Sequence, residues 1–249
     1  MDSEPAGTVS NPLSSESALG LLRKGDIEVV GRLLDASNAS LYCRVQRNDL
    51  VATCIYKPRA GERPLWDFPT GTLSRREVAA YEISAALGWD IVPPTVWRDG
   101  PFGVGMVQLW IDVDESVDLV ELVRSNRDEL RRMAVFDVVI NNADRKGGHV
   151  LPTTDGHLFG IDYGVAFSVE PKVRTLLWQW EGEPIPAETM ADLHDLKRSL
   201  SDGALATTLH ALLGGDEIAA TWQRVQRLLT SGVHPGPSSD WPAIPWPPF

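Results

Sequence analysis

The hydrophobic pattern changes period once along the chain, and that single change limits the fold more than any other feature. From Ile27 to Ile111 the apolar residues come in short runs rich in branched and aromatic side chains: IEVVGRLL, SLYCRVQ, VATCIYK, IVPPTVW and GVGMVQLWI. DASNA and RNDL bound the first runs, and Gly and Pro crowd residues 59–72. Such runs read as strands of an antiparallel sheet joined by turns and a loop. One helix interrupts them. Ser74 and Glu77 have capping-box spacing, Gly88 stands where a helix stops, and Val78, Tyr81 and Ala85 form its apolar stripe.

Beyond Ile111 the pattern turns helical. Residues 130–140 are apolar apart from Arg131, Arg132 and Asp137, which predicts a buried helix. HVLP and HLFGIDYG are short strands flanking the turn Thr154-Asp155-Gly156, and residues 186–229 are helical with breaks at 201–203 and 214–215. The expected fold is α+β and bilobal. A disordered lead-in covers 1–18, a β-rich lobe 19–111 and a helical lobe 112–232. A Pro-rich tail over 233–249 reads as an extended strap packing its aromatic residues on the domain.

Charge narrows the partners. The net charge is −11, which opposes nucleic-acid binding because that needs basic surface to replace counterions. It equally opposes a standing grip on anionic lipid. No apolar run approaches the ~20 residues of a membrane span, so stable membrane insertion is not expected. The N-terminal segment lacks the charged start and apolar core of a secretory signal. The expected location is therefore cytoplasmic. Two cysteines, Cys43 and Cys54, exclude a disulfide scaffold. A two-residue turn at Asn48-Asp49 would set them opposite each other on paired strands, as free thiols in a reducing compartment.

Chemistry enters with the order of four features. Lys57 ends a strand, and Glu77 lies on the helix that follows. Val107-Gln108-Leu109-Trp110-Ile111 is a strand placed to link the lobes. NNADRKGGH, with Asp144, is then followed by IDYGVAF, with Asp162. A strand lysine can neutralise a polyphosphate, and a helix glutamate can hold that lysine in place. A loop carboxylate can orient a hydroxyl and take its proton. A second carboxylate can hold Mg²⁺ against phosphates. Small β-lobe, hinge, helical lobe, then two aspartates is the layout of a kinase-type phosphotransferase.

These segments resemble the phosphatidylinositol 3-/4-kinase-like superfamily, above all type II phosphatidylinositol 4-kinases and their bacterial relatives. VQLWI resembles the family's hinge, NNADRKGGH its Asn-x-Asp-Arg catalytic loop, and IDYGVAF its metal motif. The Trp content, the Pro-rich end and RTLLWQW resemble a small actinobacterial branch. The resemblance implies a protein-kinase-like fold using ATP with Mg²⁺ or Mn²⁺. Lys57 would then bind the phosphates, paired with Glu77, and Asp144 would be the catalytic base. Asp162 would ligate the metal. The backbone of Gln108, Leu109 and Trp110 would meet the adenine under Ile55. The loop DASNAS, with Ser37, Asn38 and Ser40, would cover the phosphates.

Two departures stand out. His149 occupies the place of a metal-binding Asn five residues after the catalytic Asp, and imidazole suits Mn²⁺ better than Mg²⁺. The phosphate loop has no glycine. Several neighbours have plainer roles. Glu77 is also the capping-box partner of Ser74, which leaves Glu82 as a fallback partner for Lys57. Asp137 reads as a structural acceptor for the loop, and Asn142 as a brace. Arg145 and Lys146 read as an exposed basic pair. Trp178 and Trp180 fit either a substrate cleft or the core. The histidines lack Cys or His neighbours at zinc spacing. The partners expected are a nucleotide and a hydroxyl-bearing acceptor of protein, small-molecule or lipid type. A nucleotide-binding pseudokinase and an adenylyl transferase on the same fold are the competing readings.

Overall fold

A computed structural model describes residues 13–33 and 39–249. Ser37, Asn38 and the first twelve residues of the lead-in lie outside the described residues. Helix α1 (Ser15–Lys24) begins inside the stretch expected to be disordered. Its signal was hidden in Ser-rich composition: Ser14 is the N-cap, accepting from the Ser17 N–H. Leu21 and Leu22 are buried on one face, each contributing about 2 kcal/mol of apolar burial.

Five strands follow: β1 (Asp26–Arg32), β2 (Leu41–Arg47), β3 (Leu50–Pro58), β4 (Thr95–Gly100) and β5 (Gly103–Leu109). They form one antiparallel sheet in the order β1-β2-β3-β5-β4. Asn48 turns the β2–β3 hairpin with φ 53°, a conformation Asn tolerates well. Its register sets Cys43 opposite Cys54, and both are free and buried.

Alternation along the strands assigns the two faces. Cys43, Val45, Cys54, Tyr56, Val96 and Val107 pack with α1 in one cluster. Lys57 pairs with Met106, and Ile55 with Gln108. These four point the opposite way, where Met106 joins the main core.

That core is shared with α2 (Leu73–Leu87) and the second lobe. The second lobe contains α3 (Leu119–Arg124), α4 (Asp128–Val139) and the hairpin β6 (Val150–Pro152) and β7 (Leu158–Gly160). It ends with α5 (Ala187–Ser201), α6 (Gly203–Leu212) and α7 (Gly215–Ser231). Strand β5 stops at Leu109, two residues short of the expected end, and residues 110–118 link the lobes.

The capping box at Ser74 does not form. The N-cap of α2 is Thr72, which makes no side-chain cap bond. The Glu62 carboxylate reaches in from the preceding loop instead. It accepts from the Leu73 and Ser74 N–H groups at 3.0 and 2.9 Å, and from the Ser74 hydroxyl. Glu77 is thereby free for the cleft.

Residues 232–249 contain no helix or strand and run across the second lobe. Ala243 O accepts from Thr175 N–H at 3.1 Å and from Trp178 Nε1 at 2.9 Å. Pro248 O accepts from Gly147 N–H at 2.8 Å. The Phe249 ring fills the space that a Cβ on Gly147 would occupy, so any larger residue at 147 would push that ring aside.

Candidate active site

The sheet and α2 deliver Lys57 and Glu77 to the mouth between the lobes. Lys57 Nζ donates to Glu77 Oε1 and Oε2 at 2.8 and 3.0 Å. It also donates to Asp162 Oδ1 at 2.9 Å, which joins the first lobe to the second. Burial pulls the Lys57 ammonium down, but Asp162 and Glu77 outweigh it and hold it above its usual range. Lys57 in turn holds Asp162 well below the carboxylate range, against the effect of burial. Burial pushes Glu77 up, with Lys57 opposing. Of the two acids, Asp162 is the more firmly anionic.

Asp162 adopts φ 63°, a left-handed conformation that few non-glycine residues take and that recurs at functional sites. Its second oxygen, Oδ2, lies 3.6 Å from His149 Nε2. His149 Nδ1 bonds to the Asp144 carbonyl at 2.8 Å. A carbonyl only accepts, so Nδ1 carries the proton and Nε2 presents its lone pair toward Asp162. Metal-bound histidines are oriented in this way. Burial lowers the His149 pKa, against the opposing pull of Asp162.

The loop between α4 and β6 is braced from below by Asp137, which is fully buried. Asp137 accepts from Asn142 Nδ2 at 2.8 Å, Arg145 Nη2 at 3.1 Å and Thr175 Oγ1 at 3.0 Å. Arg145 corrects the expectation of an exposed basic pair. It is 0% exposed, stacks 4.5 Å above the Tyr163 ring and donates to the His149 carbonyl. Lys146 alone faces the cleft, with Nζ 3.2 Å from Asp144 Oδ2.

Above this loop lies a cavity of about 610 Å³. Ser40, Ile55, Lys57, Gln108, Leu109 and Trp110 all line it, as do Asp144, His149 and Asp162. Glu77 reaches it through Lys57. The sequence reading missed Leu151 and Ile161, which line the same cavity from β6 and the segment after β7. An apolar residue directly before Asp162 was the available signal. The hinge differs from expectation in one respect. The Leu109 and Trp110 N–H groups already donate to the Pro94 and Thr53 carbonyls. Glu82 makes no bond to Lys57. Trp180 is a core residue, 1% exposed, and Trp178 anchors the strap; neither lines the cleft.

Among the described residues, no three His, Cys, Asp or Glu side chains converge as a metal cage. Asp162 and His149 offer one oxygen and one nitrogen side by side. That donor set fits a divalent cation whose remaining ligands come from phosphate and water. No helix among the described residues is long and apolar enough to cross a membrane.

Comparison with known proteins bears on the family and the fold. The family model for phosphatidylinositol 3- and 4-kinase matches residues 101–212. The chain is 44% identical to Protein Rv2133c of Mycobacterium tuberculosis, across 92% of this chain and 94% of that protein. It is 29% identical to phosphatidylinositol 4-kinase gamma 4 of Oryza sativa subsp. japonica, over 49% of this chain and a quarter (25%) of that much longer protein. In structure it is similar to the Golgi casein kinase with Mn/ADP bound, with TM-score 0.59 and 14% identity, covering 87% of this chain and 75% of that one. It is also similar to the Helicobacter pylori proinflammatory kinase CtkA, with TM-score 0.51 and 12% identity, covering 85% and 94%. At such identities the likeness establishes a bilobal kinase fold.

Proposed function

Since this chain belongs to the phosphatidylinositol 3-/4-kinase-like superfamily, in one family with the mycobacterial protein Rv2133c, we propose that it is an ATP-dependent phosphotransferase. It moves the γ-phosphoryl group to the hydroxyl of an acceptor. The observation that carries this reading is the convergence of Lys57, Asp144 and Asp162 on one cavity beside the hinge, with Glu77 holding Lys57 there.

ATP held there supplies the phosphoryl group, and a divalent cation held by Asp162 and His149 neutralises its charge. Ile55, Leu151 and Ile161 sandwich the adenine. With the Leu109 and Trp110 N–H groups committed to the sheet, Ile111 supplies the first hinge N–H with no partner among the described residues. Adenine recognition therefore moves one residue along. Lys57 meets the phosphates while Glu77 keeps it in place. Asp144 orients the acceptor hydroxyl and takes its proton. Lys146 moves from Asp144 to the transferring phosphoryl group, where charge accumulates. The two buried free thiols and the need for ATP support a cytosolic site of action.

Radiolabelled ATP tests the reading. Label leaving only from the γ position, with ADP as co-product, is the expected result. Transfer from the α position with release of pyrophosphate would assign adenylyl transfer instead. Tight nucleotide binding without turnover under any divalent cation would make the chain a pseudokinase.

A further inference from the structure

A second cavity, of about 490 Å³, adjoins the nucleotide cavity, and the two share Asp144, Lys146 and Asp162. Its outer wall is built by the strap and the loop before α2. Trp241 and Trp246 come from the strap, and Trp66 from the loop before α2. Lys172 fastens these parts together. Its Nζ bonds Asp67 at 2.9 Å and lies 5.8 Å from the Trp66 ring and 5.1 Å from the Trp241 ring. Trp66 and Trp246 are each 87% exposed. They present broad apolar faces at the rim while the wall behind them is held.

Arg174, in the wall of this cavity, has no carboxylate partner among the described residues. Arg174 Nε donates to the Ala143 carbonyl at 2.7 Å, and its own N–H donates to Asn142 O at 3.0 Å. The guanidinium is thus fixed to the catalytic loop, one residue from Asp144. Its two Nη atoms bond to none of the described residues, and no carboxylate among them lies within ion-pair distance. A pre-oriented guanidinium fork matches phosphate or carboxylate. Exposed tryptophan faces suit the C–H face of a sugar-like ring, and the volume lies in the range of small-molecule sites.

We propose that this cavity is the acceptor site, and that it takes a small, water-soluble, phosphorylated ring polyol. The ring stacks on the strap tryptophans, and its anionic group sits on Arg174. This deepens the phosphotransferase reading and rests on it. In the transfer, the acceptor O–H bond breaks and its proton goes to the Asp144 carboxylate. The acceptor oxygen bonds the γ-phosphorus, and the bridging P–O bond breaks with its electron pair leaving on ADP. The net charge of −11 opposes docking on an anionic bilayer, so the soluble source is favoured over a lipid headgroup.

Calorimetric titration of the full chain tests this, using glucose 6-phosphate and inositol 1-phosphate, then glucose and inositol, then vesicles containing phosphatidylinositol. The phosphorylated probes should bind and the neutral rings should bind about tenfold or more weakly, the value of a charge-assisted hydrogen bond. Arg174→Gln should bring the phosphorylated probes down to the neutral level. Trp246→Leu, at an exposed position where folding is safe, should weaken both classes. Equal binding of neutral and phosphorylated rings would overturn the proposal. So would binding to vesicles alone, no binding by any soluble probe, or wild-type affinity in both variants. ADP with Mn²⁺ is titrated into the same wild-type sample. Its failure to bind would sink the phosphotransferase reading separately, whatever the polyols do.

Discussion

Asp137 and Asp144 stand seven residues apart in opposite environments. Asp137 is sealed from solvent and surrounded by donors from Asn142, Arg145 and Thr175. Asp144 opens onto both cavities. Their amide variants should therefore fail differently. Asp144→Asn should keep nucleotide affinity and slow transfer roughly 10²–10⁴-fold, as for loss of a general base. Asp137→Asn strands a buried guanidinium and should cost about 3–5 kcal/mol in urea unfolding. A single-turnover rate and an unfolding curve on each variant check the pair, and equal behaviour of the two would refute the division of labour. His149 permits a second test. Its Nδ1 bonds to the Asp144 carbonyl, so the ring braces the loop, and on the proposed function its Nε2 would meet the metal. Nitrogen ligation favours Mn²⁺ over Mg²⁺, and His149→Asn should lower the Mn²⁺/Mg²⁺ activity ratio. An unchanged ratio would leave His149 with the brace alone.

At the scale of elements, α2 depends on a residue outside it. Glu62 satisfies two N–H groups and a hydroxyl at its first turn. Glu62→Ala should cost about 1–2 kcal/mol and, because α2 carries Glu77, should also weaken nucleotide binding. Thermal unfolding and nucleotide titration on one sample read both effects. This cap also explains what the sequence hid. Strand and helix periodicities exposed the sheet, the buried α4 and the breaks near 201–203 and 214–215, because each is written in consecutive residues. Lys57, Asp144 and Asp162 were legible because each carries its own local pattern. The competition for the end of α2 was settled by a carboxylate 11 residues upstream, which no local spacing reports. The wall of the second cavity was invisible for the same reason: Trp66, Arg174 and Trp246 meet only after folding. The strap has its own titratable anchor. His234 is 4% exposed, accepts from Arg131 Nε at 3.1 Å and stacks obliquely on Trp180. Arg131 is itself paired with Glu183. Burial, with Arg131 adding, pulls the imidazole down to about 4. The unfolded chain takes up this proton near pH 6.5, so stability present above that value is lost as the pH falls toward 4. The loss should reach about 2 kcal/mol by pH 5. Melting curves of wild type and His234→Gln across that window check it, and identical slopes would exclude the histidine.

The two lobes share one apolar core through α2, and Arg76–Glu217 and Trp89 Nε1–Asp192 tie them further behind the cleft. At the cleft, the hinge joins them covalently, Lys57–Asp162 crosses between them, and Lys172 with Asp67 and Trp241 ties the loop before α2 to the strap. Asp162 Oδ1 is a counter-ion to Lys57, and on the proposed function the same carboxylate would also hold the cation. On the proposed function, a nucleotide that engages the lysine of one lobe and, through the metal, the aspartate of the other should stabilise the whole protein and not merely a local loop. Mass action sets the size: at a hundredfold excess over the dissociation constant the gain is about 2.7 kcal/mol, several degrees for a domain of this size. ADP alone should give little of that shift. ADP with Mn²⁺ should give most of it, because the cation relieves repulsion between the phosphates and Asp162. Asp162→Asn removes the anionic ligand while Glu77 still holds Lys57, so the apo protein should stay folded and the metal-dependent increment should vanish. Differential scanning fluorimetry with ADP, Mn²⁺ and both, on the two proteins, separates these terms. A full metal-dependent shift in Asp162→Asn would show that the cation is held elsewhere and that the lobes are not bridged through Asp162.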